Sequence, residues 1–342
     1  TNTEAPIGVY DSGVGGLSVL RALHSQLPFE ATLYFADQAK VPYGERPLEE
    51  VRQLAEGVTR MMMHEGAKLI VIACNTASAA ALKYLRDLYP KFLVGMEPAV
   101  KPAAEQTLSG KVGVLATPST FQGELYASVV ERFAKDVQIF EATCPGLVKQ
   151  IERGYLQTPL TRRILQQALQ PMLAEGVDTL VMGCTHFPFV IPLIQQIAGE
   201  GVRVIDPAPA IARQTERVLM QHDLLRSPAA EPTQRYLTSG DPSRFSRLLE
   251  QLLGVEHSRK DGIGLGTLCC VDDFLGLPLL YFRLVISLTG DNTTRAPNER
   301  NSDPLVENRH AFENHPNWRK SSSLPVCFSK YAGSTAKFPA IA

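Results

Sequence analysis

Glu65-Gly-Ala-Lys-Leu-Ile-Val-Ile-Ala-Cys-Asn-Thr76 and Glu175-Gly-Val-Asp-Thr-Leu-Val-Met-Gly-Cys-Thr-His186 align without a gap at an offset of 110 residues. In each copy Glu-Gly closes an amphipathic stretch, an apolar run follows, and a cysteine stands where the run ends. A glycine after a helical pattern is a stop signal, and a short apolar run between polar neighbours is a buried strand. The segments therefore read as two copies of helix, strand and turn. Ile7-Gly-Val-Tyr10 matches Val112-Gly-Val-Leu115 at an offset of 105, which carries the repetition back to an earlier strand in each half. Any two α/β units share part of this grammar, but a cysteine at the end of both strands is not part of it.

Working outward, Thr32–Phe35, Val137–Phe140, Leu180–Met182 and Val202–Ile205 read as further buried strands, and Leu48–Glu65 and Leu160–Glu175 as helices between them. Strand–helix alternation predicts an α/β fold of two related domains, each a mainly parallel sheet flanked by helices. Ligands of such sheets bind beyond the carboxyl ends of the strands. If the domains face each other, the two thiols do too, with the active site in the cleft between them. The expected boundaries are 5–97 plus 207–254 for the first domain and 98–206 for the second. The segment after Asp206, with a strand at Arg235–Thr238 and a helix at Pro242–Leu253, is too short for a third domain and is expected to pack back on the body.

Composition narrows the function. Of 342 residues, 34 are Lys or Arg and 35 are Asp or Glu, giving a net charge of -1. That balance argues against a nucleic-acid or anionic-membrane surface, which needs a basic excess. With 44% hydrophobic and 20% charged residues the chain is of ordinary globular type. Six cysteines in a chain this long are not a disulfide framework. The N-terminal stretch has no basic and apolar leader, and Phe274–Thr289 is broken by Arg283, so a cytoplasmic location is expected. Composition also shifts along the chain. Seventeen Gln precede Val255 and none follows it, where about six would be expected at the earlier frequency. Residues 255–342 hold the only Trp and Cys269, Cys270 and Cys327, and read as an appendage outside the main fold: a fused segment, an extension, or the product of a shifted reading frame.

Ala73-Cys-Asn-Thr-Ala-Ser78 and Gly183-Cys-Thr-His-Phe-Pro188 each place a thiol at a strand end, beside small hydroxyl or amide side chains, where a helix begins. Free N–H groups there receive a carboxylate, and the positive helix end favours a thiolate. Zinc is one alternative, through Cys184, His186, Cys74 and Cys144, but no Cys-x2-Cys pair supports it. A thiol hydrolase with Cys184 as nucleophile and His186 as base is another, and it leaves Cys74 idle. Two opposed thiols suit removal of a proton from one face of a carbon and return of one to the other face. This needs no metal or cofactor, only neighbours that set each protonation state. Asp11, in the strand-to-helix turn Tyr10-Asp-Ser-Gly-Val-Gly-Gly16, and His186 are the candidates. That loop lacks the G-x-G-x-x-G spacing and a Walker lysine, so its glycines are read as room for a small substrate.

Those two cysteine motifs, with Tyr10–Gly16 and Val41-Pro-Tyr-Gly44, together resemble the bacterial glutamate racemases of the cofactor-independent aspartate/glutamate racemase superfamily, over residues 7 to about 252. The resemblance implies interconversion of L- and D-glutamate for peptidoglycan synthesis, without a cofactor, with glutamate as the small-molecule partner. It implies that Cys74 and Cys184 are the acid/base thiols, assisted by Asp11 and His186, with Glu152 as a further acidic assistant unless it is a solvated helix residue. It places Asp11, Ser12, Pro42, Tyr43, Gly44, Asn75, Thr76, Thr185 and His186 at substrate-binding positions, with Thr117 and Thr120 adding contacts from the second domain. Aspartate racemases usually carry Glu where this chain has His186 and His where it has Ser78, so glutamate is favoured over aspartate. A non-catalytic amino-acid-binding protein is the rival of another class. Cys144 is expected to be core packing, and a homodimer is the association left open.

Overall fold

The computed structural model describes residues 2–89, 92–228 and 232–254 and the backbone of 286–288. Expectations that fall on the rest of 255–342, including the apolar stretch and the three late cysteines, lie outside the described residues.

The strands are β1 (Ile7–Asp11), β2 (Thr32–Ala36), β3 (Leu69–Ile72), β4 (Phe92–Gly95), β5 (Lys111–Ala116), β6 (Gln138–Ala142), β7 (Thr179–Gly183), β8 (Arg203–Ile205), β9 (Gln234–Thr238) and β10 (Ile286–Leu288). They form two sheets with helices on their faces. The first runs β10-β9-β2-β1-β3-β4 and the second β6-β5-β7-β8. All pairings are parallel except β10 against β9, which is antiparallel. The inner orders β2-β1-β3-β4 and β6-β5-β7-β8 are the same topology written twice. Each has its switch point between its first and third strands, where a ligand crevice opens at the carboxyl ends.

The duplication reaches the register. Ile7 pairs with Leu69 across β1 and β3, and Val112 pairs with Thr179 across β5 and β7. The two sequence offsets, 105 and 110, carry the first pair onto the second. It also reaches the core. A Cβ on Gly8 would stand 3.0 Å from Met62 Sδ, and one on Gly113 would stand 2.9 Å from Met172 Sδ. Met62 and Met172 are themselves repeat partners, so in both halves a helix methionine packs directly on a bare strand backbone.

β1, β2, β3 and β7 are buried throughout, as near-continuous apolar runs in parallel sheets require. β6 is an edge strand, half-buried, and lies one to two residues later than its apolar run predicts. β9 joins the edge of the first sheet beside β2, and the helices Ala208–Gln221 and Pro242–Leu253 pack against Leu17–Gln26. Behind that sheet the buried pair Lys68–Glu30, 2.6 Å apart, is completed by Lys68 donating to the carbonyls of Thr3 and Leu224. Among the described residues no helix is long and apolar enough to cross a membrane.

Candidate active site

The first half of the site grows from the carboxyl end of β1. Asp11 is the last residue of that strand, and its Oδ2 accepts from Gly16 N at 2.9 Å. The loop from Ser12 to Gly16 turns so closely around Asp11, Glu152 and His186 that its glycines have no room for a side chain. A Cβ on Gly13 would collide with Glu152, and one on Gly15 with His186 Nδ1 and Asp11 Oδ2. Beside it β3 ends and Cys74 caps the helix Asn75–Leu88, its sulfur accepting from Ala77 N at 3.5 Å. Cys74 is 4% exposed. Burial and then the charge of Asp11 push it well above its ordinary value, against the pull of the Ala77 N–H. Burial likewise raises Asp11, although His186 and Cys74 draw it down. Cys74 therefore rests as a protonated thiol with a hydrogen-bonding carboxyl at its side.

The second half grows from β7. Cys184 follows the strand, 6% exposed, with its sulfur 3.8 Å from His186 Nδ1. The other ring nitrogen of His186, Nε2, lies 2.7 Å from Glu152 Oε1. Glu152 also accepts from Val14 N at 2.7 Å and from Gln38 Nε2 at 3.0 Å. Burial alone would lower the imidazole, but Cys184, Glu152 and Asp11 hold it well above its ordinary value. Burial alone would raise the Glu152 carboxyl, but His186, Gln38 and the Val14 N–H bring it down. The pair is therefore imidazolium and carboxylate, with Nδ1–H directed toward the Cys184 sulfur. Such a fixed ring with a carboxylate behind it is a general acid/base arrangement.

The two halves share one small cavity, to which both Cys74 and Cys184 contribute walls. Ser12, Pro42, Tyr43 and Gly44 line one side of it, and Asn75, Thr76, Thr117, Thr185 and His186 complete the polar lining. Thr76, Thr117 and Thr120 form a triangle of hydroxyls 2.9 to 3.3 Å apart. Tyr43 is anchored from behind, its hydroxyl donating to Asp37 Oδ2 at 2.7 Å. The side-chain amide of Asn75 is buried with neither its oxygen nor its nitrogen hydrogen-bonded. Buried polar atoms are rarely left so, and here they lie in the cavity wall.

Of the residues expected from sequence, Asp11, Glu152 and Thr120 do not face the cavity but stand against those that do. Glu152 is no solvated helix residue: it is 5% exposed and bonded to His186. Val148, Gln38 and the Val14 N–H were not anticipated. Val148 was within reach, since it precedes Glu152 by one helical turn and so shares its face. Cys144 is buried near Cys184, its thiol pushed up to about 12 chiefly by that burial. Among the described residues no three His, Cys, Asp or Glu side chains are grouped to hold a metal ion.

A family profile described as Asp/Glu/Hydantoin racemase matches residues 7–215. The glutamate racemase of Ectopseudomonas mendocina is 51% identical over 253 residues, which is 74% of this chain and 96% of that one. Among solved structures, the glutamate racemase isoform RacE1 of Bacillus anthracis superposes with a TM-score of 0.69 at 32% identity, covering 75% of this chain and 96% of that one. The Escherichia coli glutamate racemase, in complex with L-glutamate and the activator UDP-MurNAc-Ala, gives 0.62 at 33% identity, covering 73% and 93%. Sequence, topology and paired strand-end thiols agree: the chain belongs to the Asp/Glu/Hydantoin racemase family and is an amino-acid racemase.

Proposed function

We propose that the chain interconverts L- and D-glutamate by moving the α-proton between Cys74 and Cys184 on opposite faces of the carbon. The observation that carries this reading is that two thiols at repeat-equivalent strand ends line one small cavity, each backed by its own ionisable partner. In one direction Cys184, having passed its proton to His186 Nδ1, accepts the α-proton while Cys74, held protonated, donates from the other side. In reverse Cys74 accepts, with Asp11 beside it, and Cys184 donates. The unpartnered amide of Asn75 and the hydroxyls of Thr76, Thr117 and Ser12 are the groups that would hold the substrate's ammonium and carboxylates. The relative from E. coli is described with L-glutamate bound, which supports the substrate assignment.

In this reading residues 5–97 with 207–254 form one domain and 98–206 the other, with 255–342 an appendage. The enzyme works in the cytoplasm and supplies D-glutamate for peptidoglycan. Incubation of the full chain with D-glutamate in D2O, without any added cofactor, should yield L-glutamate carrying deuterium at the α-carbon. C74S and C184S should each abolish inversion. A folded sample that neither inverts nor labels glutamate sinks the reading, and a serine variant that racemises at the parental rate removes its thiol from the mechanism.

A further inference from the structure

The Glu152 carboxylate is held by more than its histidine. Gln38 Nε2 donates to Glu152 Oε2 at 3.0 Å, and the other end of that amide, Oε1, accepts from Thr238 Oγ1 at 3.0 Å. The direction of the chain is fixed at its far end. Gly240 N donates to Thr238 Oγ1 at 3.0 Å, which leaves the threonine's own proton for Gln38. Thr238 is fully buried at the end of β9, and the glutamine therefore has one amide orientation, nitrogen toward Glu152. The same turn grips the neighbouring residues. Ser239 Oγ donates to Asp37 Oδ1 at 2.6 Å and accepts from Ala39 N at 3.0 Å, and Arg244 from the following helix donates to the Glu152 carbonyl at 2.9 Å. None of these groups lines the cavity.

We propose that Gln38, aimed by Thr238, is a positioning residue for the Cys184 side of the reaction: it fixes the Glu152 carboxylate that holds His186 in line with Cys184. The inference rests on the two-thiol reading given above. A carboxylate that loses a charge-assisted donor in a buried site is a weaker counter-charge and is free to rotate. His186 then loses both its fixed ring orientation and part of its hold on the proton. Among the described residues no hydrogen bond joins Gln38 to Cys74 or Asp11, so the effect falls first and most strongly on the Cys184 side. The ionisable groups that face the Glu152–His186 pair are Asp11 from β1, Tyr34 from β2 and Cys184 after β7, with the Arg244 guanidinium on the backbone. All of them remain in the variants below.

The test uses the full chain, Q38L and T238V, with α-deuterated L- and D-glutamate. Q38L should lower kcat/KM about tenfold with KM within about twofold, and T238V about threefold, in keeping with one charge-assisted hydrogen bond. The rate–pH profile should narrow, its acid limb moving up and its basic limb down. The α-deuterium isotope effect should rise for the enantiomer that Cys184 deprotonates and fall for the other, because only one proton transfer has slowed. A general loss of packing would move both effects together. Parental isotope effects and pH profile in folded Q38L overturn the proposal. If Q38L does not fold, the same readings on T238V decide. Failure of the parent chain to racemise glutamate would instead overturn the two-thiol reading itself.

Discussion

Asn75 offers a prediction in which stability and activity move in opposite directions. Its amide oxygen and nitrogen are both out of reach of solvent and both unpartnered, in a side chain 3% exposed. Leaving a buried polar group unsatisfied costs about 1–3 kcal/mol. Asn75→Leu keeps the branched shape and heavy-atom count and removes both groups, so the free protein should gain about 2 kcal/mol, raising Tm by roughly 3–4 °C at the usual sensitivity of a chain this size. The same change deletes two hydrogen bonds to a charged amino acid. At about 1.5–3 kcal/mol for each such bond, kcat/KM should fall at least 100-fold. Thermal melts with and without glutamate, alongside polarimetric racemisation, report both quantities. The parent should be stabilised by added glutamate and the variant should not. A variant less stable than the parent, or one with undiminished kcat/KM, would refute the argument that the unpaired amide is reserved for substrate.

Gly15→Ala should lower kcat by roughly 100-fold with circular dichroism unchanged, because the new methyl lands on His186 Nδ1 and Asp11 Oδ2 and displaces reacting groups by about an ångström. Lys68→Met should destabilise the fold by about 3–5 kcal/mol in urea titrations at constant m, since it strands the buried Glu30 carboxylate. His24 is partly buried beside Thr32, and burial pushes its imidazole down to about 4, so the folded state resists a proton that the unfolded chain takes up near 6.5. Its contribution is present above pH 6.5 and lost as pH falls toward 4. Between pH 7.5 and 4.5 the parent should lose about 2–3 kcal/mol more unfolding free energy than His24→Gln.

The architecture was legible where the chain repeats itself. The offsets at Cys74/Cys184 and Ile7/Val112 made the two halves recognisable as equivalents, whereas strand order and pairing register depend on contacts far apart in the chain and were not read from it. β4 was not legible: Phe92-Leu-Val is only three apolar residues before Gly95, too few to distinguish from a loop. The thiols, Asp11 and His186 could be found because each sits at a strand end within a motif. Gln38 and Val14 could not. They act on Glu152 across 114 and 138 residues of chain, one through an amide and the other through its backbone N–H, and neither contact leaves a local signature. Asn75 was quoted as a binding residue on resemblance, whereas its unsatisfied amide is a fact of packing alone.

The small hydrogen bonds that cross the cavity have a kinetic consequence. Ser119 donates to the carbonyls of Gly44 and Arg46, Thr76 meets Thr117, Ser18 donates to the carbonyl of Thr185, and Glu152 receives the Val14 N–H. Together they tie the flanks of the cavity, with Cys74 4% and Cys184 6% exposed. Substrate entry and product escape therefore require latches to part and re-form, and the on-rate should lie below the diffusion limit. In the proposed reaction, a carbon deprotonated behind these bonds would take its new proton from a thiol in preference to bulk water.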